Sequence, residues 1–386
     1  MPSYHRLGTI PPKRHTQFRS PEGRLYAEEV FGTRGFSGIY SVLYHLALPA
    51  RTKRIEPHGS IALETWDPGV HRLHRLRGGD LTKEGDPVTA RIPILFNDEV
   101  TISLATTTQV QDCYYKNGTH DECVFVHEGA GVLATNLGEV PFRAGDYLCI
   151  PRGTVQQLRL EGGRGRLLVV EAAGPIDTPL RYRNEHGQLL EHAPYWERDF
   201  RGPERLETNA AQEEGEVRLL VKIGAELYCH YLDHHPFDVV GWDGYLYPYA
   251  FNIQDYEART GRFHVPPPMH QVFEGPGFVI CNFVPRKLEW DENAVPIPYF
   301  HSNIDSDEVI YYAGGNYGAR RVQHGDLTFH PRGLPHGPSA GAMEASLNRP
   351  RETDELAVMV DTFRPLKLTI ACDAIDDPDY MRSWDE

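Results

Sequence analysis

Two stretches of the chain repeat one pattern of turn-forming residues, and that repeat limits the possible folds more than any other feature. Gly145-x5-Pro151-x-Gly153-x2-Gln156 and Gly325-x5-Pro331-x-Gly333-x2-His336 share every spacing at an offset of 180 residues. Upstream of each lies a matching element: Asn117-Gly-Thr-His-Asp121-Glu122, an apolar run and Gly129, against Asn303-Ile-Asp-Ser-Asp307-Glu308, an apolar run and Gly315. The pattern predicts two copies of one module with different side chains at corresponding places.

The module is β-rich. Short runs of β-branched and aromatic residues recur between turn signals: Ile94–Phe96, Val100–Ala105, Glu122–Val126, Tyr147–Ile150, Arg166–Ala172, Val217–Ile223, Phe278–Val284, Val309–Tyr312 and Val358–Val360. Such spacing predicts antiparallel strands in a sandwich or barrel. With 36 Gly and 30 Pro in 386 residues, turns are favoured over long helices. The best helix candidate, Asn252–Ala258, is short, and the polar segment Tyr182–Glu214 reads as a connection between units.

Charge and apolar content exclude several roles. Lys plus Arg total 39 against 54 Asp plus Glu, a net charge of −15, and no basic run offers a nucleic-acid footprint. The most apolar stretches, Leu167–Val170 and Phe278–Val284, are far shorter than the roughly 20 residues a membrane span needs. No apolar leader follows Met1, so a soluble, cytoplasmic protein is expected. The six cysteines stand singly without CxxC pairing, which suits small buried hydrophobes in a reducing compartment.

The second copy carries the chemistry. His301-x-Asn303-x4-Glu308-x6-Gly315, followed by Gly325-x5-Pro331-x-Gly333-x2-His336, resembles the two metal-binding motifs of the cupin superfamily. Two imidazoles and one carboxylate on one face of an octahedron leave the other positions open for substrate and O2, the facial arrangement that Fe(2+) uses. Asn303 stands where many cupins place a further His, and three ligands favour non-haem iron. Asp307 rivals Glu308 as the carboxylate; the interval from Glu308 to Gly315, equal to that from Glu122 to Gly129, decides for Glu308. In the first copy the same positions are Tyr115, Asn117, Glu122 and Gln156, so that copy is expected to be structural. The expected architecture is mostly β, with two cupin-type jelly-roll modules, a degenerate one in residues 1–235 and a metal-binding one in residues 236–386.

The chain further resembles the homogentisate 1,2-dioxygenase family. The resemblance rests on Val239-Val-Gly-Trp242-Asp-Gly244-Tyr-Leu-Tyr-Pro248-Tyr249, Tyr299-Phe-His301-Ser-Asn303, Gly315-Asn-Tyr317 and His330-Pro-Arg-Gly-Leu-Pro-His336-Gly-Pro338. It implies an iron enzyme that opens 2,5-dihydroxyphenylacetate to maleylacetoacetate in tyrosine and phenylalanine catabolism, with O2 as co-substrate. It implies His264 as an acid/base residue, Tyr317 and His330 as groups that contact substrate or orient ligands, and Arg320 as a fork for the substrate carboxylate. It also implies a homo-oligomer of trimers or hexamers. A gentisate-type dioxygenase and a metal-free bicupin binding protein are the alternatives.

Overall fold

The nine runs read from the sequence coincide with strands of the computed structural model, Phe278–Val284 overrunning its strand by one residue; the structure describes residues 3–209, 216–317, 322–348 and 351–385. Most extend a residue or two beyond the expected run: Ile94–Phe96 lies in Ile92–Phe96, and Val309–Tyr312 in Asp307–Gly314. Asn252–Ala258 is not a helix. Asn252 ends the strand Tyr249–Asn252, and its side chain accepts a hydrogen bond from the Gln254 amide to cap one 3-10 turn, Ile253–Asp255. Among the described residues the α-helix is Ala342–Ser346, too short to leave a periodic signal.

The first module is a pair of facing sheets and the second is built on one, open rather than closed into a barrel. In the first, strands Asp121–Glu128, Asp146–Ile150 and Gly165–Ala172 belong to a nine-stranded sheet. Opposite lies a seven-stranded sheet containing Tyr114–Asn117, Gly131–Thr135 and Gln156–Leu160. Successive side chains along a strand point to opposite faces, so Val124, Val126, Leu167 and Val169 turn inward onto Leu133 and Leu158. Cys123, Phe125, Leu168 and Val170 turn outward.

The second module is built on a six-stranded sheet that includes Phe278–Phe283, Asp307–Gly314, Leu327–His330 and Leu356–Thr362. Its inner face carries Val279, Cys281, Ile310, Tyr312, Ala357 and Met359. Its outer face, with Ile280, Val309, Tyr311, Val358 and Val360, joins the same apolar cluster as the outer face of the first module. The two modules therefore stand back to back. Each large side chain fully buried there contributes about 1.5–3 kcal/mol, and the Tyr147 hydroxyl crosses the seam to donate to Asn282 Oδ1 at 2.6 Å. The chain also lends strands across it: His74–Leu76 pairs with Leu327–His330, and Lys367–Thr369 with Ile92–Phe96.

The repeat holds bond for bond. The Gly153 amide donates to the Asn117 carbonyl and the Gly333 amide to the Asn303 carbonyl, each at 2.7 Å. Gly153 and Gly333 have φ of 84° and 81°, a left-handed conformation that explains why glycine stands at both places.

A four-stranded sheet of His5–Gly8, Val239–Gly244, Tyr40–His45 and Ala27–Gly32 covers one end of the molecule. Its buried His45 lies between Asp238 at 2.8 Å and Glu29 at 2.9 Å. Burial disfavours the imidazolium, but the two carboxylates more than offset this and raise the pKa from 6.5 to about 9. A raised pKa stabilises the fold fully below the unfolded value, and the gain is lost as pH rises through the folded one. We expect unfolding free energy to fall by on the order of 2 kcal/mol between about pH 6.5 and pH 9, and His45→Gln to remove that slope. Parallel urea-unfolding profiles for the two proteins across this range would refute it.

Candidate metal centre

His301 and His336 are neighbours across an isolated antiparallel bridge, each amide donating to the other's carbonyl at 2.9 Å. The same bridge joins Tyr115 and Gln156 in the first module, so the correspondence read from turn spacing is a structural one. Glu308 rises from the strand Asp307–Gly314 beneath this pair. One ligand atom each from His301, Glu308 and His336 lie within 4.8 Å of one another. Glu308 Oε2 is 3.4 Å from His301 Nε2, and Oε1 is 3.3 Å from His336 Nε2.

Asp307 has a different task. Its Oδ1 accepts from the amide and Nε of Arg332 at 2.9 and 3.0 Å, and its Oδ2 from the Leu366 amide. Asp121 does the same with Arg152 and the Ile176 amide. Asp307 thus ties the turn to the strand and leaves Glu308 to face inward.

Protonation prepares the cluster for a cation. His336 Nδ1 lies 3.1 Å from the Leu334 carbonyl, which can only accept, so Nδ1 carries a proton and Nε2 is the nitrogen turned toward Glu308. That Nε2 is buried with no hydrogen-bond partner. Burial works against ionising Glu308, but His301, His330 and His336 around it hold its carboxyl well below the usual range. His330, directly opposite Glu308 in the strand pairing, bonds its Oε1 through Nδ1 at 2.7 Å. His330 Nε2 in turn approaches the Tyr380 hydroxyl at 3.4 Å. An ionised carboxylate beside a buried imidazole nitrogen that has no hydrogen-bond partner is a donor set that suits a divalent ion.

Access is from the His301 side, since His301 is half-buried while Glu308 and His336 are buried. Tyr299, Phe300 and Ile304 stand exposed beside it. His264 is on an exposed loop, its ring 5.2 Å from that of Tyr299, which stands edge-on to His301. The structure does not bring Tyr317 to the cluster. It lies beyond Gly314, roughly 20 Å along the strand from Glu308 at about 3.4 Å per residue. Its hydroxyl is engaged with the Gly314 amide and the Leu356 carbonyl. Arg320 lies outside the described residues.

Two residues that the sequence reading missed also belong here. Tyr380 backs His330, and Asp361 sits directly opposite Glu308 on the strand Leu356–Thr362. Burial, and then the neighbouring Glu308 carboxylate, push the Asp361 carboxyl well above the usual range. The signal for Asp361 was a third element of the repeat: Val169-Val170-Glu171-Ala172 against Met359-Val360-Asp361-Thr362.

The first module fills the same place with protein. Arg91, fully buried, donates from Nη1 and Nη2 to the two oxygens of Glu122 at 2.7 and 3.1 Å and from Nη1 to Glu171 at 3.4 Å. Lys222 meets Glu171 at 2.9 Å, and Tyr115, Asn117 and Gln156 all donate to Glu122. Burial opposes the charge on Glu122, yet Arg91 brings its pKa to about 2.

A mostly β, two-module cupin with a buried two-histidine, one-carboxylate cluster is the class these observations define. Residues 95–253 match the family model described as homogentisate 1,2-dioxygenase N-terminal. The chain is 41% identical to a protein of Saccharolobus solfataricus provisionally named a dioxygenase, over 99% of this chain and 98% of that one. It is 29% identical to homogentisate 1,2-dioxygenase of Rhodopseudomonas palustris, over 73% of this chain and 65% of that enzyme's length. The chain belongs to the homogentisate dioxygenase family. Among solved structures, a cupin 2 conserved barrel domain protein from Leptotrichia buccalis aligns over 75% of this chain and 96% of that one at 12% identity, with a TM-score of 0.35, too low to add to the argument.

Breaking one partner of a buried ion pair costs roughly 3–5 kcal/mol because the other charge is left unpaired. We expect Arg91→Met to lose stability on that scale in urea unfolding, and Arg91→Met with Glu122→Gln to recover much of it. A single variant as stable as wild type would show that Arg91 is not the counter-charge of the first module.

Proposed function

We propose that this chain is a non-haem iron(II) dioxygenase that opens the ring of a hydroquinone-type aromatic acid, homogentisate or a close relative, with His301, Glu308 and His336 holding the iron. The observation that carries the reading is the three-residue cluster in which His336 Nε2 is buried without a hydrogen-bond partner. Bound there, iron would supply the electronic path between an electron-rich ring and O2 that the protein's own side chains lack.

The chain's residues supply position and proton control. The Leu334 carbonyl fixes the His336 tautomer, and His330 orients Glu308, the kind of support that keeps ligands aimed at an ion. The exposed Tyr299, Phe300 and Ile304 offer apolar surface for an aromatic ring at the open side. His264, against Tyr299, is the group we assign to take and return the proton of a ring hydroxyl, a task suited to an imidazole. Arg320 remains the candidate for the substrate carboxylate, as a bidentate fork. The homogentisate dioxygenase of Rhodopseudomonas palustris supports the choice of substrate, and with it maleylacetoacetate as product in tyrosine and phenylalanine catabolism. A cytoplasmic homo-oligomer, trimer or hexamer, belongs to the same reading; light scattering tests the assembly.

Anaerobic loading should give about one iron per chain, and oxygen uptake should be fastest with homogentisate among homogentisate, gentisate and related hydroquinone acids. His301→Ala, Glu308→Ala and His336→Ala should each lose iron and turnover. Iron kept at wild-type stoichiometry in all three variants defeats the ligand assignment, and absence of uptake with every acid defeats the activity.

His264→Phe should retain iron while turnover at saturating substrate falls roughly 10²–10⁴-fold, the contribution typical of a proton-transfer group. An unchanged turnover number would leave His264 as a residue of the exposed loop only.

A further inference from the structure

We propose that Asp361 is a positioning residue of the metal centre, a second buried carboxyl that shares the bound cation's field with Glu308. The inference rests on the metal-centre reading above and deepens it.

Strand geometry provides the first argument. Asp361 pairs with Glu308 on one side and with Val279 on the other. Residues two apart share a face, so Asp361, Met359 and Ala357 face the same way as Glu308, Ile310 and Tyr312. Met359, Ala357, Ile310 and Tyr312 form one cluster inside the module, which puts the Asp361 side chain at the metal end of that interior.

The internal duplicate provides the second. Glu122 pairs with Glu171 in the first module as Glu308 pairs with Asp361 in the second. In the first module one cation serves both carboxylates: Arg91 Nη1 reaches Glu122 at 2.7 Å and Glu171 at 3.4 Å. Asn117 Nδ2 also spans the pair, at 3.1 and 2.8 Å. In the second module no ion pair to Asp361 occurs among the described residues, and the buried polar atoms without a hydrogen-bond partner include Asp361 Oδ1, Asn303 Nδ2 and His336 Nε2. Asn303 is the counterpart of Asn117 and His336 that of Gln156. The side chains that close on Arg91 in one module are thus left open around Glu308 in the other. A divalent cation takes the place of the guanidinium, and Asp361 stands to it as Glu171 stands to Arg91. Groups beside a metal that are not themselves ligands change its affinity by about 10–100-fold.

Cobalt(II) binding to the apoprotein tests this without turnover, read by anaerobic titration and by the visible spectrum of the bound ion. Asp361→Asn keeps the shape and removes the acidic group; Asp361→Glu keeps an acidic group. We expect Asp361→Asn to weaken cobalt binding about tenfold or more and to shift its visible bands, and Asp361→Glu to restore affinity to within a few-fold of wild type. Urea unfolding of each apoprotein checks that the variants are folded. Affinity and spectrum unchanged in Asp361→Asn, or affinity falling equally in both variants, overturns the inference. Failure of the wild-type protein itself to bind cobalt overturns instead the reading of His301, Glu308 and His336 as ligands, so the two failures are told apart.

Discussion

A carboxylate buried in the floor of a β-sandwich has to be given a cation or a full set of donors, and both modules are organised around that demand. In the first the demand is met from within. Arg91 and Lys222 face Glu122 and Glu171, and Tyr115, Asn117 and Gln156 complete the hydrogen bonding. In the second the same strand positions carry Glu308 and Asp361, but the groups around Glu308 are the imidazoles of His301, His330 and His336, and His336 Nε2 is buried without a hydrogen-bond partner. One duplicated frame therefore gives a closed polar core and an open one.

The back-to-back arrangement explains why the closed copy is kept. The strands Asp307–Gly314 and Leu327–His330 of the second module's sheet are inward-facing at one residue and packed on the first module at the next. Glu308 looks into the site while Val309 enters the apolar seam with Phe125, Leu168 and Val170. Loosening the first module would therefore tilt the strands that hold Glu308 and His330. The borrowed strand His74–Leu76, paired with Leu327–His330, ties the ligand-bearing edge to the N-terminal part of the chain as well.

Much of this was legible in the sequence because it is written in turn chemistry and local spacing. Gly153 and Gly333 need left-handed backbone, and the residues between them and Gln156 or His336 follow at fixed intervals. The choice of Glu308 over Asp307 could be read from the interval to the next glycine, and the structure gives the reason in the Arg332 and Leu366 bonds of Asp307. Asp361 was marked only by the third element of the repeat, Met359–Thr362 against Val169–Ala172. Tyr380 and Arg91 were not legible, because they reach their sites from chain segments far away in sequence and nothing in their immediate neighbours marks them. Tyr317 shows the converse limit. A motif put it near the site, but a strand of eight residues carries it to the far end of the module, where backbone groups occupy its hydroxyl.

The contrast between the copies also bears on where function can reside. Buried polar groups are normally satisfied, and unsatisfied ones persist where a ligand completes them. Around Glu122 the ring of counterpart residues donates to the carboxylates, at the cost of rigidity and with no lone pair to spare. Around Glu308 two counterpart atoms, Asn303 Nδ2 and His336 Nε2, lack hydrogen-bond partners, and His301 alone of the three-residue cluster opens toward solvent. The second copy thus gives up part of the stabilisation that the first retains. That difference, in one chain with one backbone pattern, is the physical ground for proposing that the chemistry lies in the second module.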